Sequence, residues 1–270
     1  MSFKHIVVAI NFSPSWPRLR RRLERLREWG AERATLVYVL ESRYPAAPET
    51  GHRKHYEDRL AAEARLLADL GYSADWEIRT GEAGAELALA ARKHNADLLL
   101  LGHGGHGWLR ELFMGDTALD AARLTRTPLW LEPTAGDQPA EAGDWLLLAT
   151  DGSEAARHAE ECFRALAPHL RRAIAITATG RVQTDDQEKA DARAHLAEVI
   201  ADLPGAESRV LDGDPRDVTV AMARELPAEL VIVGKRGRNP LIDLLLGSTA
   251  ETVCNRTRRP VLLVPARNRR

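Results

Sequence analysis

TGEAGAELALAARKHNADLLLLG (Thr80–Gly102) and DGDPRDVTVAMARELPAELVIVG (Asp212–Gly234) read alike. Each opens on a glycine turn and runs through a helical pattern with apolar residues three and four apart. Each then closes with an acidic residue leading into a short apolar strand. The pairs Gly81/Gly213, Gly102/Gly234, Gly105/Gly237, Gly115/Gly247, Pro128/Pro260 and Pro133/Pro265 all differ by 132. Six pairs in one ungapped register make an internal repeat. Upstream, HIVVAIN (His5–Asn11) matches DWLLLATD (Asp144–Asp151) at an offset of 140. The eight extra residues of the first repeat are expected in the Pro/Gly-containing stretch Arg43–Arg53, before its second helix. TAGDQPAEAG (Thr134–Gly143) has linker composition, so the domains are expected at 1–133 and 144–270.

Each repeat reads as five strands alternating with four helices. In the first, strands are expected near 6–10, 35–40, 75–79, 98–101 and 128–131. In the second they are expected near 145–150, 174–179, 208–211, 230–233 and 261–264. Short apolar strands between amphipathic helices are buried on both faces, which makes the fold class α/β, two doubly wound, Rossmann-like domains, each with a five-stranded parallel sheet. Such sheets bind ligands beyond the carboxyl ends of the strands, where strand order reverses. The residues after strands 1 and 4 therefore carry the function.

Composition narrows the classes. With 38 Lys and Arg against 39 Asp and Glu, the net charge of −1 provides no field for nucleic acid or an anionic membrane. A hydrophobic fraction of 44% is enough for two cores and excludes intrinsic disorder. A spanning helix needs about 20 apolar residues, and no run here approaches that. MSFKHIVVAI enters a strand without a signal-peptide pattern, and Cys162 and Cys254 are too few for a disulfide framework, so the expected compartment is the cytoplasm.

After strand 4 of the second repeat comes GKRGRNPLIDLLLGST (Gly234–Thr249), a G-x₂-G-x₉-G-[S/T] pattern. Glycines let backbone amides approach an anion closely. Gly247-Ser248-Thr249 then opens a helix whose free amides and dipole favour a phosphate. Lys235, Arg236 and Arg238 add positive charge. A ligand-free reading exists: Ser248-x-x-Glu251 is also a capping box.

This spacing, Asp151-Gly152-Ser153 after strand 1 and the closing PVLLVP (Pro260–Pro265) together resemble the universal stress protein family. The resemblance covers nearly the whole chain twice and implies a tandem member with adenine-nucleotide α-hydrolase-like domains. In the ATP-binding branch of that family the glycine motif holds ribose and phosphates, and the Asp ending strand 1 meets adenine. The resemblance thus implies Asp151, with Gly152, at the base edge, and main chain near Ala178 completing the base pocket. Gly234, Lys235, Gly237, Arg238, Gly247, Ser248 and Thr249 fall to ribose and phosphates. The implied cofactor is ATP, with or without Mg. Asp214 and Asp243 are the carboxylates that could hold the metal.

The first repeat keeps Gly102, Gly105 and Gly115 but has Asp116 where the second has Ser248. A carboxylate there is expected to cap the helix and repel a phosphate, at roughly 4 kcal/mol for two unit charges about 4 Å apart at an effective dielectric near 20. His103 and His106 replace Lys235 and Arg238, and Asn11 replaces Asp151, so this site is read as degenerate. Gly102–Gly107 is literally G-x-G-x-x-G, but it follows strand 4 rather than strand 1, where a dinucleotide fingerprint belongs. His103-x-x-His106 offers two metal ligands without a third, and no metal site is expected. Arg18–Arg22 (RLRRR) reads as a basic face of the first helix, solvated or in contact with a partner, rather than as a nucleic-acid site.

The expected function is an adenine-nucleotide-binding stress-response regulator, not an enzyme, with any ATP hydrolysis slow and incidental. The alternative is a nucleotide-independent scaffold or chaperone-like module. An adenylyl-transferring enzyme would need an S-G-G-x-D-S-type loop where this chain has Asp151-Gly-Ser-Glu. The resemblance also implies pairing of the two repeats as an intramolecular pseudo-dimer, with homodimers and protein partners open, and neither nucleic acid nor membrane as a partner.

Overall fold

A computed structural model of the chain describes residues 3–40, 49–104, 115–134, 143–180, 185–236 and 246–267. The first repeat forms β1 (His5–Ala9), α1 (Trp16–Glu28), β2 (Arg33–Leu40), α2 (Glu49–Asp69), β3 (Ser73–Thr80), α3 (Ala83–Lys93), β4 (Leu98–His103), α4 (Asp116–Leu124) and β5 (Leu129–Pro133). The second forms β6 (Trp145–Ala149), α5 (Arg157–Leu166), β7 (Arg172–Ala178), α6 (Asp186–Ile200), β8 (Glu207–Leu211), α7 (Pro215–Glu225), β9 (Ala228–Gly234), α8 (Ser248–Arg256) and β10 (Val261–Val264). The described residues divide into two compact units, one around each repeat.

Strands pair in parallel within each unit. Their order is β3-β2-β1-β4-β5 in the first and β8-β7-β6-β9-β10 in the second, the same topology twice. The central strands are apolar throughout because helices cover both faces: Ile6–Val8, Leu98–Leu100, Leu146–Leu148 and Leu230–Ile232 are fully buried. Each such side chain contributes about 1.5–3 kcal/mol by leaving water. β3 (SADWEIRT) and β8 (ESRVL), each at one edge of its unit's sheet, are partly exposed and correspondingly polar.

Two expectations are corrected. Glu49–Arg53 belong to α2 instead of preceding it, so part of the insertion is the longer start of that helix. The Arg18–Arg22 run is not simply a solvated face. Arg22 is buried; its Nε donates to Glu132 Oε2 at 2.9 Å and its guanidinium lies 4.8 Å from the Trp130 ring. Trp130 Nε1 donates to the same carboxylate oxygen at 2.9 Å. α1 needs position 22 on its buried stripe beside Leu19, Leu23 and Leu26. An arginine fits there because its stem is apolar and its head is paired with the Glu132 carboxylate.

Candidate functional site

In the second unit β6 lies between β7 and β9. The chain leaves β6 towards one side and β9 towards the other, and the crevice where they part is the switch point. At the β6 end, Asp151 Oδ1 accepts from the Ser153 amide at 3.0 Å, a local turn that fixes the carboxylate. Gly152 has φ +68, a left-handed conformation that glycine adopts without strain, and its amide donates to Thr150 Oγ1 at 3.2 Å. Ala178 closes β7 next to β6, half-buried. Ser153 Oγ is buried and has no hydrogen-bond partner among the described residues; the sequence motif includes this residue but gives its side chain no role.

At the β9 end the chain folds back at once: a Cβ on Gly234 would lie 3.0 Å from the Arg236 carbonyl oxygen. Lys235 is buried, its amide donating to the Val264 carbonyl at 2.7 Å, and its own carbonyl accepts from the Gly247 amide at 2.9 Å. A Cβ on Gly247 would meet that carbonyl oxygen at 3.2 Å. Both glycines therefore serve close backbone approach, and together they bind the start of α8 to the strand end. Gly247 is the N-cap of α8, with Ser248, exposed, and Thr249 in the first turn, and among the described residues no side-chain hydrogen bond caps the helix. The capping box does not form, because Ser248 lies one position inside the helix. Helix-start amides unserved by a side chain suit an anion. Gly237, Arg238 and Asp243 lie outside the described residues. Asp214 is the N-cap of α7; it accepts from the Arg216 amide at 2.9 Å and pairs with the Arg216 guanidinium, which holds its carboxyl down to about 2.

The matching places of the first unit carry other chemistry. Asn11 Oδ1 accepts from the Ser13 amide at 3.1 Å, the same turn as at Asp151, but the next residue is Phe12 at φ +53. Thr134 covers Gly102, where a Cβ would meet the Thr134 methyl at 2.7 Å. The Thr134 amide and hydroxyl donate to the His103 carbonyl at 2.8 and 3.0 Å, taking the acceptor that Gly247 uses in the second unit. Asp116 occupies the first turn of α4, yet Gly115 is the N-cap and no side-chain cap forms among the described residues. The expected capping by Asp116 is thus corrected: it brings its charge to the helix start but no capping bond.

His103 Nε2 is buried without a hydrogen-bond partner among the described residues, and burial lowers this imidazole to about 4. His106 lies outside the described residues, and among those described no cluster of three or more His, Cys, Asp or Glu could hold a metal. Burial pushes the thiols of Cys162 and Cys254 up to about 12, which keeps both protonated and unreactive. Among the described residues no helix is long and apolar enough to cross a membrane.

Two parallel five-stranded units of the same strand order define a tandem, doubly wound α/β protein. The universal stress protein family model matches residues 2–132 and again 145–265, and the chain belongs to that family, as two tandem domains. It is 33% identical over 75 residues to the stress response protein NhaX of Bacillus subtilis (28% of this chain, 43% of that protein). It is 32% identical over 59 residues to the universal stress protein MJ0577 of Methanocaldococcus jannaschii (22% of this chain, 36% of that protein). The matched stretches thus span less than half the length of either relative. The fold is that of a universal stress protein from Archaeoglobus fulgidus, with TM-score 0.79, 18% identity, and 99% of this chain and 100% of that chain covered. The Pseudomonas aeruginosa protein PA1789 shares it at TM-score 0.76 and 17% identity, covering 98% and 93%.

Proposed function

We propose that this universal stress protein binds an adenine nucleotide, ATP in the first instance, at one site in its second domain and acts as a nucleotide-responsive regulator. The observation that carries this reading is the contrast at the β4 and β9 ends. In the second domain Gly234 and Gly247 bring bare backbone and an uncapped helix start together. In the first, Thr134 covers the glycine and Asp116 adds a negative charge. Asp151 and Gly152 take the base edge with main chain at Ala178. Gly234, Lys235, Gly247, Ser248 and Thr249 take ribose and phosphates, joined by Gly237 and Arg238. A magnesium ion would accompany the phosphates as their counter-ion, held by them more than by Asp214, whose carboxylate is committed to Arg216. Any hydrolysis is slow and incidental.

The test is to denature the purified protein, identify released nucleotide by mass spectrometry and count it per chain. About one adenine nucleotide per chain supports a single site. About two overturns the reading of the first domain. None, with no uptake of added ATP, replaces the proposal with a nucleotide-independent interaction module.

A further inference from the structure

Behind the β6 loop lies a polar cluster that the assignment of the nucleotide site does not use. Glu160 on α5 is buried, its side chain 4% exposed. One of its oxygens, Oε1, accepts both from Thr150 Oγ1 at 2.6 Å and from His195 Nε2 on α6 at 2.8 Å. Thr150 in turn accepts the Gly152 amide through its hydroxyl oxygen, and its carbonyl accepts from Thr177 Oγ1 at 3.0 Å. His195 also packs on the loop itself: a Cβ on Gly152 would lie 3.3 Å from the imidazole Cδ2. The polarity of every bond is consistent. The carboxylate accepts twice, the hydroxyl donates once and accepts once, and the imidazole donates from Nε2.

A buried carboxylate costs stability unless it is fully bonded, and an apolar residue at position 160 would pack as well or better. The arrangement does have one directional effect: it joins two helices to the residue before Asp151 and to the amide after it. We propose that Glu160 and His195 are positioning residues, which through Thr150 hold the Asp151-Gly152 loop in the conformation that the bound base requires. The proposal rests on the nucleotide reading of this site and adds to it the machinery that orders the base edge. The matching positions of the first domain hold no such chain: Ile10 stands for Thr150, and Arg20 and Glu63, 4.0 Å apart, stand for Glu160 and His195.

The test compares the full chain with His195→Leu and His195→Gln, the latter retaining an N–H donor for Glu160. ATP affinity is measured by calorimetry, and the order of the Gly152 and Ser153 amides by NMR relaxation without ligand. The expected result is a roughly tenfold weaker Kd and mobile Gly152 and Ser153 amides in His195→Leu, with both restored in His195→Gln. A merely structural loss would not be rescued residue-specifically at these two amides. Unchanged amides in His195→Leu overturn the proposal. So does a Kd within twofold of the parent when the amides have loosened. Loosened amides in a protein whose parent form takes up no ATP support the positioning and instead remove the nucleotide reading.

Discussion

After β1 the chain runs Ile10-Asn11-Phe12-Ser13, and after β6 it runs Thr150-Asp151-Gly152-Ser153. Both loops make the same side-chain turn onto the residue two ahead, and both place the next residue in left-handed backbone, at φ +53 and +68. What holds them differs. Phe12 stacks with Tyr56 at 6.2 Å and meets Tyr38 at 5.7 Å, while the Arg59 guanidinium lies 3.9 Å from its ring centre. In the second domain Gly152, Thr177, Glu188 and Asp191 take those positions, and a hydrogen-bonded chain replaces the stack. One backbone therefore tolerates two solutions. The aromatic one places ring surface around the loop, whereas the polar one holds the loop by hydrogen bonds to Thr150.

The largest predicted effect concerns strand 5, where the domains diverge again. Arg22, Trp130 and Glu132 are matched by Cys162, Leu262 and Val264, all buried. Arg22→Ala takes the cation from the Glu132 carboxylate, to which Trp130 Nε1 still donates, and is expected to cost about 3–5 kcal/mol. Grafting the second domain's solution, Arg22→Cys with Trp130→Leu and Glu132→Val, removes the unpaired charge and is expected to recover most of that loss. Urea midpoints measure both. A loss below 1 kcal/mol in Arg22→Ala would show that the pair is hydrated and the contrast superficial.

Exchanging the helix starts tests the binding asymmetry. Ser248→Asp places a charge beside the expected phosphates, and a repulsion of roughly 4 kcal/mol weakens ATP binding about a thousandfold. Asp116→Ser alone creates no second site, since Thr134 still covers Gly102 and Asn11 still replaces an aspartate. Calorimetric stoichiometry reads both; tight binding retained in Ser248→Asp would overturn the phosphate assignment.

Acid should act on the first domain through His103, which matches Lys235. Its folded value near 4 lies below the unfolded value near 6.5, so the unfolded chain binds more protons between them. The neutral imidazole's contribution is complete above about pH 6.5 and is lost as pH falls towards 4, up to about 3 kcal/mol. His5, lowered mainly by burial, acts in the same direction. The difference in unfolding free energy between pH 7.5 and pH 4 should shrink in His103→Leu. An equal difference in both proteins would mean that His103 is hydrated.

The repeat, the strands and the switch points were legible because glycine spacing and hydrophobic period are written locally. α8 begins at Ser248, as the Gly247-Ser248-Thr249 signature indicates. Its capping box was not readable, because S-x-x-E does not say which residue is the N-cap. The inward use of Arg22 was hidden in a run of arginines, although its spacing from Leu19 and Leu26 puts it on the buried stripe. Thr134 over Gly102 and Glu160 against His195 are tertiary pairings with no periodic signal. Glu160 could only have been suspected as a charge on the apolar face shared by Ala159, Cys162 and Phe163.

The smallest predicted effect isolates backbone from side chain in the two loops. Phe12 pays for its stack with left-handed backbone, which disfavours any side chain by roughly 1–2 kcal/mol relative to glycine. Phe12→Ala loses the stacking and the contact with Arg59 while keeping the strain. Phe12→Gly loses the same contacts but releases the strain, at a small entropic cost in the unfolded chain. The glycine variant should therefore be the more stable of the two by about 1 kcal/mol, reversing the order found where φ is negative, and a thermal or urea series resolves that difference. If alanine proves the better replacement, the loop relaxes out of the left-handed region once the ring is gone. The backbone at position 12 would then be imposed by the aromatic stack, whereas at position 152 it belongs to glycine and the Thr150 hydrogen bond.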